Sequence, residues 1–315
     1  MGVSVRAMIK GRTVSPVRVS KGISADRLIR EFEKSGVMGA GRIARATNIL
    51  EKAIRDKCTL FMGFAGAMVP GGMKQVVIDM LRAGWVDVLV STGANLTHDL
   101  VEALGFHHYQ GSPDIDDRLL NKKRIDRIYD SFMPDDVYPA LEDFTQRVFP
   151  TMPEQMNIRE FLWELGKAMP RKLPSILRTC YEHKIPLFCP AISDSGIGLQ
   201  VWNYIQQHKL EVSAFDDLKE ILDIAWTSKK ACVLYIGGGV PKNYIQQAMQ
   251  LSPKAASYGV QITMDRPEPG GSSGAVLREG ISWGKMNSNA EFVDVICDAT
   301  IALPLIVAGL KSRLG

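Results

Sequence analysis

The chain has 315 residues, 46% of them hydrophobic, which is ample material for a core in one large domain or two small ones. Its 38 basic and 34 acidic side chains leave a net charge of +4, too small and too dispersed to argue for nucleic acid. The densest basic run, "NKKRIDR" at 121–127, reads as a solvated helix end.

The first residues, "MGVSVR", carry Arg6 where a myristoylation signal needs Ser or Thr, and no secretory pattern follows. Up to about residue 55 the chain reads as helix. "SADRLIREFEKSG" opens on a Ser N-cap and stops at Gly36, and "GRIARATNILEKAIRDK" is a second amphipathic run. A repeating unit then begins, made of a short apolar β-rich run, a turn of small residues and a helix. It occurs at "TLFMGFAGAMVPGGMKQVVIDML", "VDVLVSTGANLTHDLVEAL", "IPLFCPAISDSGIGLQVWNYI" and "ACVLYIGGGVPKNYIQQAMQ". "GVQITMD" leads into "RPEPGGSSGA", and the strand-like "FVDVIC" precedes Asp298.

These runs are apolar on both faces, as in a parallel sheet covered by helices. Strands alternating with helices predict an α/β fold, Rossmann-like and doubly wound, with a mostly parallel sheet and N-terminal helices. No proline- or serine-rich linker appears, so residues 1–315 are expected to form one domain, with 1–55 as a helical segment. The tail "ATIALPLIVAGL" is too short to span a membrane and contains a proline, so it is expected to be a buried element. The five cysteines (Cys58, Cys180, Cys189, Cys232, Cys297) are scattered without a CxxC, consistent with reduced core residues of a cytoplasmic protein.

In doubly wound sheets, ligands bind beyond the carboxyl ends of the strands. The glycines, Thr92, Asp194 and Gly237–Gly239 are expected there. "YIGGGVPKN" runs from a strand through three glycines into a helix start, and its exposed N–H groups suit an anion; the glycines also suit simple strand–helix packing. "STGANLTHD" has the same logic, with His98 and Asp99 either functional or ordinary helix-start residues. "GAGRIA" at 39–44 fits a dinucleotide fingerprint in letters only, because a helical pattern precedes it, and "GISWGKM" is one residue short of a P-loop. The aspartates at 114, 116 and 117 read as solvated, the histidines show no metal-ligand spacing, and no GxSxG elbow exists.

"LREGISWGKM" (277–286) remains. Lys285 stands behind Trp283 and Gly284, with Glu279 six positions earlier. A surface turn needs no such company. A lysine forms imines with carbonyl or imine carbon when neutral, and burial beside Trp283 would favour the neutral form. Glu279 would oppose that but hold a cationic amine.

"SWGKM", with "GGSSGA" before it and "CDATIALPLIVA" after it, resembles the deoxyhypusine synthase family. So do "VDVLVSTGA", "FCPAISDSGIG" and "YIGGGVPK", in family order from about residue 40 to the end. The resemblance implies NAD-dependent transfer of an aminobutyl group from spermidine, through an imine on Lys285, to a lysine of the hypusine-bearing translation factor. It also implies a homotetramer with sites across subunit interfaces, and neither a nucleic-acid nor a membrane partner. Position by position, Lys285 matches the nucleophile and Glu279 and Trp283 the amine pocket. Gly66, Ala67, Thr92, Gly93, Asp194, Ser273, Asp298 and Ala299 match the cofactor frame.

Departures are selective. Thr97 and His98 replace two adjacent glutamates, Leu199 an aspartate, Asn243 a histidine, and Pro269 and Ser272 two aspartates. His98, Asn243 and Ser272 are then the groups left to meet the amine. Since cationic amines need carboxylates in place of water, the resemblance is to a divergent branch. A homospermidine synthase-like transfer to a small amine and a non-catalytic NAD-binding homologue are the alternatives. A Schiff-base aldolase fits the lysine but not the glycine-rich strand ends.

Overall fold

Every second residue of the apolar runs turns to the same side, and each side meets its own layer of helices. The computed structural model describes residues 12–315; the Met1–Arg6 segment read above for lipidation lies outside them. The strands, in chain order, begin with β1 (Thr59–Phe64), β2 (Val88–Ser91), β3 (Tyr109–Gln110), β4 (Ile125–Ile128), β5 (Ser131–Pro134) and β6 (Gln155–Asn157). They continue with β7 (Leu187–Phe188), β8 (Glu211–Ser213), β9 (Ala231–Ile236), β10 (Ala256–Thr263) and β11 (Met286–Ile296). Six of them form one sheet in the order β11-β10-β9-β1-β2-β7, all parallel.

The doubly wound α/β architecture expected from the sequence is the one found. Leu60, Met62 and Phe64 of β1 face the helices Met38–Arg55, Lys74–Arg82 and Ala299–Leu314. Phe61 faces the opposite layer, with Tyr244, Ile245 and Ala248 of helix Gly239–Leu251 and Ile221 and Ala225 of helix Phe215–Thr227. Chain order runs from β1 out through β2 to β7, then returns to β9 on the other side of β1 and proceeds outward to β11. The direction of winding therefore reverses between β1 and β9, and a crevice opens beyond their carboxyl ends.

Among the described residues helix begins at Ala25, capped by Ser24 and ended by Gly36 in the left-handed conformation; residues 12–24 are irregular apart from a turn. "GAGRIA" lies inside helix Met38–Arg55, where a Cβ on Gly41 would come within 2.4 Å of the Gly36 backbone. Its glycine serves helix packing. The apolar tail is the helix Ala299–Leu314, which packs Ala302, Leu303, Ile306 and Leu310 into the core despite Pro304. Cys58, Cys180, Cys189 and Cys232 are buried thiols and Cys297 is half-buried; all five are free.

Two small sheets were not foreseen: antiparallel β3-β5-β4 and parallel β6-β8. "NKKRIDR" is only partly a helix end. The helix Asp117–Lys122 stops within it and β4 starts at Ile125, so that Arg127 reaches back to Asp117 at 2.7 Å. Asp116 caps that same helix.

Candidate functional site

Two adjoining clefts occupy the crevice. The first, about 410 Å³, is walled by Gly66, Ala67, Thr92, Gly93, His98, Ile128, Asp194 and Pro241, among others. The second, about 440 Å³, is walled by Gly237, Gly238, Thr263, Asp265, Ser273, Asp298 and Ala299. They share Ala65, Gly66 and Gly239. Each volume is in the range of small-ligand sites, and the shared residues put the two side by side.

Local folding positions these walls. Asn95, buried in helix Gly93–Ala103, accepts from Val69 N–H (3.1 Å) and donates to the Gly66 carbonyl (2.9 Å), which fixes the loop after β1. Thr92 caps that helix and Ser195 caps helix Gly196–Ile205. The two helix starts meet so closely that a Cβ on Gly93 would sit 2.5 Å from that of Ser195. Thr97 is buried and accepts from Ile197 N–H at 3.1 Å, so it clamps this junction and offers nothing to a ligand. Asp298 caps the last helix through Oδ1, bonded to Thr300 N–H (2.7 Å) and its hydroxyl (2.8 Å). Helix Gly239–Leu251 has no side-chain cap, so its first N–H groups point toward the shared wall, a natural seat for an anion.

His98 and Asp99 are not helix-start residues; both lie in the middle of Gly93–Ala103. Asp99 is fully buried and has a structural task. Its carboxylate accepts from Ser175 Oγ (2.8 Å), Ile176 N–H (2.9 Å) and Leu177 N–H (3.0 Å), and pairs with Lys74 at 3.1 Å. His98 faces the first cleft. Its Nδ1 meets His108 Nε2 at 3.0 Å, and His108 Nδ1 meets Glu102 at 2.9 Å. Burial, and then the neighbouring His108, push His98 down to about 4, so the ring is neutral at pH 7.

Lys285 lies elsewhere. Its carbonyl accepts from Ala256 N–H (3.2 Å), at the first residue of β10, and its N–H donates to Gly280 (2.8 Å). That is the amino end of the sheet. Thr263, at the carboxyl end of β10, is seven residues further on, roughly 23 Å along the backbone at about 3.3 Å per residue. Gly284 takes a left-handed φ of 70°, and Lys285 Nζ stands 4.9 Å from the Trp283 ring centre. The shielding expected of Trp283 is missing within the chain: the ring is 60% exposed, and Glu279 is exposed as well. Neither cleft has Lys285, Glu279 or Trp283 in its wall. Asn243 points to solvent, and Ser272 contributes a carbonyl to Lys242.

Sequence reasoning missed Lys242. It is 1% exposed, and its ammonium donates to Gln261 Oε1 (2.7 Å) and to the carbonyls of Ser272 (2.7 Å) and Ala275 (2.5 Å). Burial lowers it to about 8, against the opposing charges of Asp294 and Glu279. It ties helix Gly239–Leu251 to the segment that leads to Ser273 and Lys285. Its signal was present: position 242 falls on the apolar stripe with Ile245 and Met249. Among the described residues no cluster suits a metal ion, and no helix is long and apolar enough to cross a membrane.

A family model described as "Deoxyhypusine synthase" matches residues 27–310. Over 316 aligned residues the chain is 45% identical to the "Probable deoxyhypusine synthase" of Methanosarcina thermophila, covering 100% of this chain and 99% of that protein. It is 47% identical over 308 residues to "Probable deoxyhypusine synthase 1" of Methanosarcina acetivorans, covering 97% and 95%. In fold it is similar to the crystal structure of a "putative deoxyhypusine synthase" from Entamoeba histolytica, with a TM-score of 0.64 at 19% identity, covering 93% and 94% of the two chains.

Proposed function

The chain belongs to the deoxyhypusine synthase family, and from that premise we propose that it transfers an aminobutyl group from spermidine to a lysine of the hypusine-bearing translation factor, using NAD. The observation that carries the reading is Lys285: its backbone is held on both sides while its half-buried side chain sets the amine over the exposed Trp283. A lysine so placed is presented to a second molecule rather than tied into the fold.

The adjoining clefts fit NAD. The uncapped N-terminus at Gly239 suits the pyrophosphate, and Asp298 Oδ2, which has no partner among the described residues, suits a ribose hydroxyl, as does the exposed Asp194. A Cβ on Gly239 would meet nothing within 4 Å, so this wall stands open to a ligand. Gly66, Ala67, Thr92, Gly93, Ser273 and Ala299 complete the frame. Bound there, NAD would supply a hydride acceptor for the carbon beside the secondary nitrogen of spermidine and the hydride for the final reduction, with no net redox change. Lys285 Nζ attacks the resulting substrate imine, 1,3-diaminopropane leaves, and the butylimine stays on Lys285 until the acceptor lysine displaces it. Glu279 holds the distal ammonium and Trp283 covers the reacting carbon.

The separation of Lys285 from the clefts supports a site completed by a second copy, with the lysine of one chain over the clefts of another in a homotetramer. Each chain acts as one domain, in the cytoplasm, where five free thiols stay reduced. The side chains at Leu199, Asn243 and Ser272, none of them acidic, favour a second reading in which a small amine replaces the protein acceptor. The test is to incubate the protein with NAD and spermidine, trap with borohydride and map adducts by mass spectrometry. An aminobutyl group on Lys285, absent in Lys285→Arg, is expected. NAD binding with no adduct from spermidine, putrescine or agmatine would leave a non-catalytic homologue.

A further inference from the structure

The chain of groups behind His98 leads deeper than a histidine packing at a cleft edge requires. Glu102 is a carboxylate: burial pushes it up, but the His108 hydrogen bond and the Lys74 ammonium outweigh that and hold it below its ordinary value. Lys74 lies 3.3 Å from Glu102 and 3.1 Å from Asp99, and is itself buried. A carboxylate accepts, so His108 must donate to it from Nδ1. In the neutral ring, His108 Nε2 then carries the lone pair and accepts from His98 Nδ1–H. The tautomer of His98 is thereby fixed from behind. Its Nε2 is a bare lone pair, with no partner among the described residues, on the wall of the first cleft, which Asp194 also lines.

We propose that His98 Nε2 is the proton acceptor of the cleft, taking the proton that a substrate ammonium must lose before its carbon can give up a hydride. This rests on the amine-oxidising reading above. The substrate N–H bond breaks and its proton binds His98 Nε2. The Nδ1 proton of His98 passes to His108 Nε2, and the Nδ1 proton of His108 passes to Glu102. One proton has moved from cleft to carboxylate, both rings end neutral in the opposite tautomer, and no electrons are exchanged. Glu102, at the far end of the relay, keeps a quarter of its side chain exposed, so the proton it receives lies next to solvent. His98 is the catalytic group; His108 and Glu102 are positioning residues. The titratable and charged groups around the ring are Asp99 and Glu102 on its own helix, Lys74 from helix Lys74–Arg82, His108 from the segment that follows, and Asp194 on the wall of the same cleft.

Two measurements test this. Long-range nitrogen–proton NMR on the whole protein with labelled histidine reads the tautomer without any turnover; the His98 signals are assigned by their loss in His98→Gln, and the ring stays neutral down to about pH 5. Nδ1 protonated and Nε2 bare is expected, and a proton on Nε2 overturns the proposal whatever rate His98→Gln shows. In the second, NADH formation from spermidine should fall about 100-fold or more in kcat in His98→Gln, the ordinary weight of a general base, with NAD affinity within twofold of wild type. The variant's rate should climb with pH where the wild type is level. His108→Asn should lower kcat less and move the acid limb of the profile toward the ordinary imidazole value. Wild-type turnover matched by His98→Gln removes this proposal alone. A wild type that binds NAD but oxidises no amine removes the functional reading, and this proposal with it.

Discussion

Replacing Asp99 should cost more than replacing its partner Lys74, although the two form one buried pair. Without Asp99, the N–H groups of Ile176 and Leu177 lose their acceptor, and so does Ser175 Oγ. The Lys74 ammonium, 3.1 Å away and 9% exposed, is left with Glu102 at 3.3 Å and a backbone carbonyl. Breaking a buried pair from the side that strands the other charge costs about 3–5 kcal/mol, and loss of a helix cap is part of that total. Without Lys74, Asp99 still has three donors and the N-terminus of helix Ile176–Glu182 to stabilise its charge. Lys74→Met should therefore cost only about 1–2 kcal/mol. Asp99→Asn keeps one acceptor oxygen and should fall between the two. The assay is urea unfolding followed by far-UV circular dichroism for the three variants and the Lys74→Met/Asp99→Ala double, which should lose less than the sum of the singles because no charge is stranded. A Lys74→Met variant as damaged as Asp99→Ala, or an Asp99→Ala loss under about 1 kcal/mol, would refute the assignment of Asp99 to the scaffold.

Gly238→Ala should be disruptive where Gly239→Ala is mild. The first puts a Cβ 2.3 Å from the Ser273 Cα, backbone against backbone, while the second meets nothing and pays only for its φ of 56°. Overpacking of that kind costs about 1–3 kcal/mol, and thermal melts with and without NAD would read both the loss and any weakening of the second cleft. Lys242 sits below its ordinary value, at about 8. The unfolded chain thus holds more protons between pH 8 and 10.5, and the stability of wild type relative to Lys242→Met should rise across that window by about 3 kcal/mol. A flat difference would mean that burial does not oppose the charge. Mixing Lys285→Ala with Asp194→Ala chains should restore transfer that neither has alone; a fully active monomer by light scattering would rule out the shared site.

The layers of the fold were legible because they depend on local pattern. Apolar runs of strand length, each followed by small residues and a helix, determine a parallel sheet, and the helix caps at Ser24 and Thr92 are local signals too. The eight residues matched to the cofactor frame come together for the same reason, since each follows a strand of the one sheet. What escaped depends on distance in the chain. Asp99 caps a helix 77 residues away, so no window around "STGANLTHD" could separate it from a catalytic acid. His98 and His108 meet across a turn whose shape is set by β3 and β5, strands too short to carry a pattern. The run around Lys285 does not say at which end of the sheet that lysine stands. Nor does it say that Trp283 is left 60% exposed by the rest of the chain.

The strand order also has a temporal side. β1 is paired on one face by β2, only a few dozen residues on, but its other edge waits for β9, with Thr59 opposite Ala231. At a ribosomal pace of about 5–20 residues per second, roughly 10–35 s separate the two halves of that pairing. During that interval the central strand of the future sheet, "TLFMGF", is an apolar edge with every backbone donor and acceptor on one side unmet. β10 and β11 cannot dock before β9 is in place. A nascent chain halted before residue 231 is therefore a distinct hazard: of the helices that cover β1 it has made Met38–Arg55, Lys74–Arg82 and Phe215–Thr227, but neither Gly239–Leu251 and Ala299–Leu314 nor the strand that would close the edge. Ribosome-bound chains of increasing length should lose their susceptibility to limited proteolysis in a single late step, once β9 has cleared the exit tunnel.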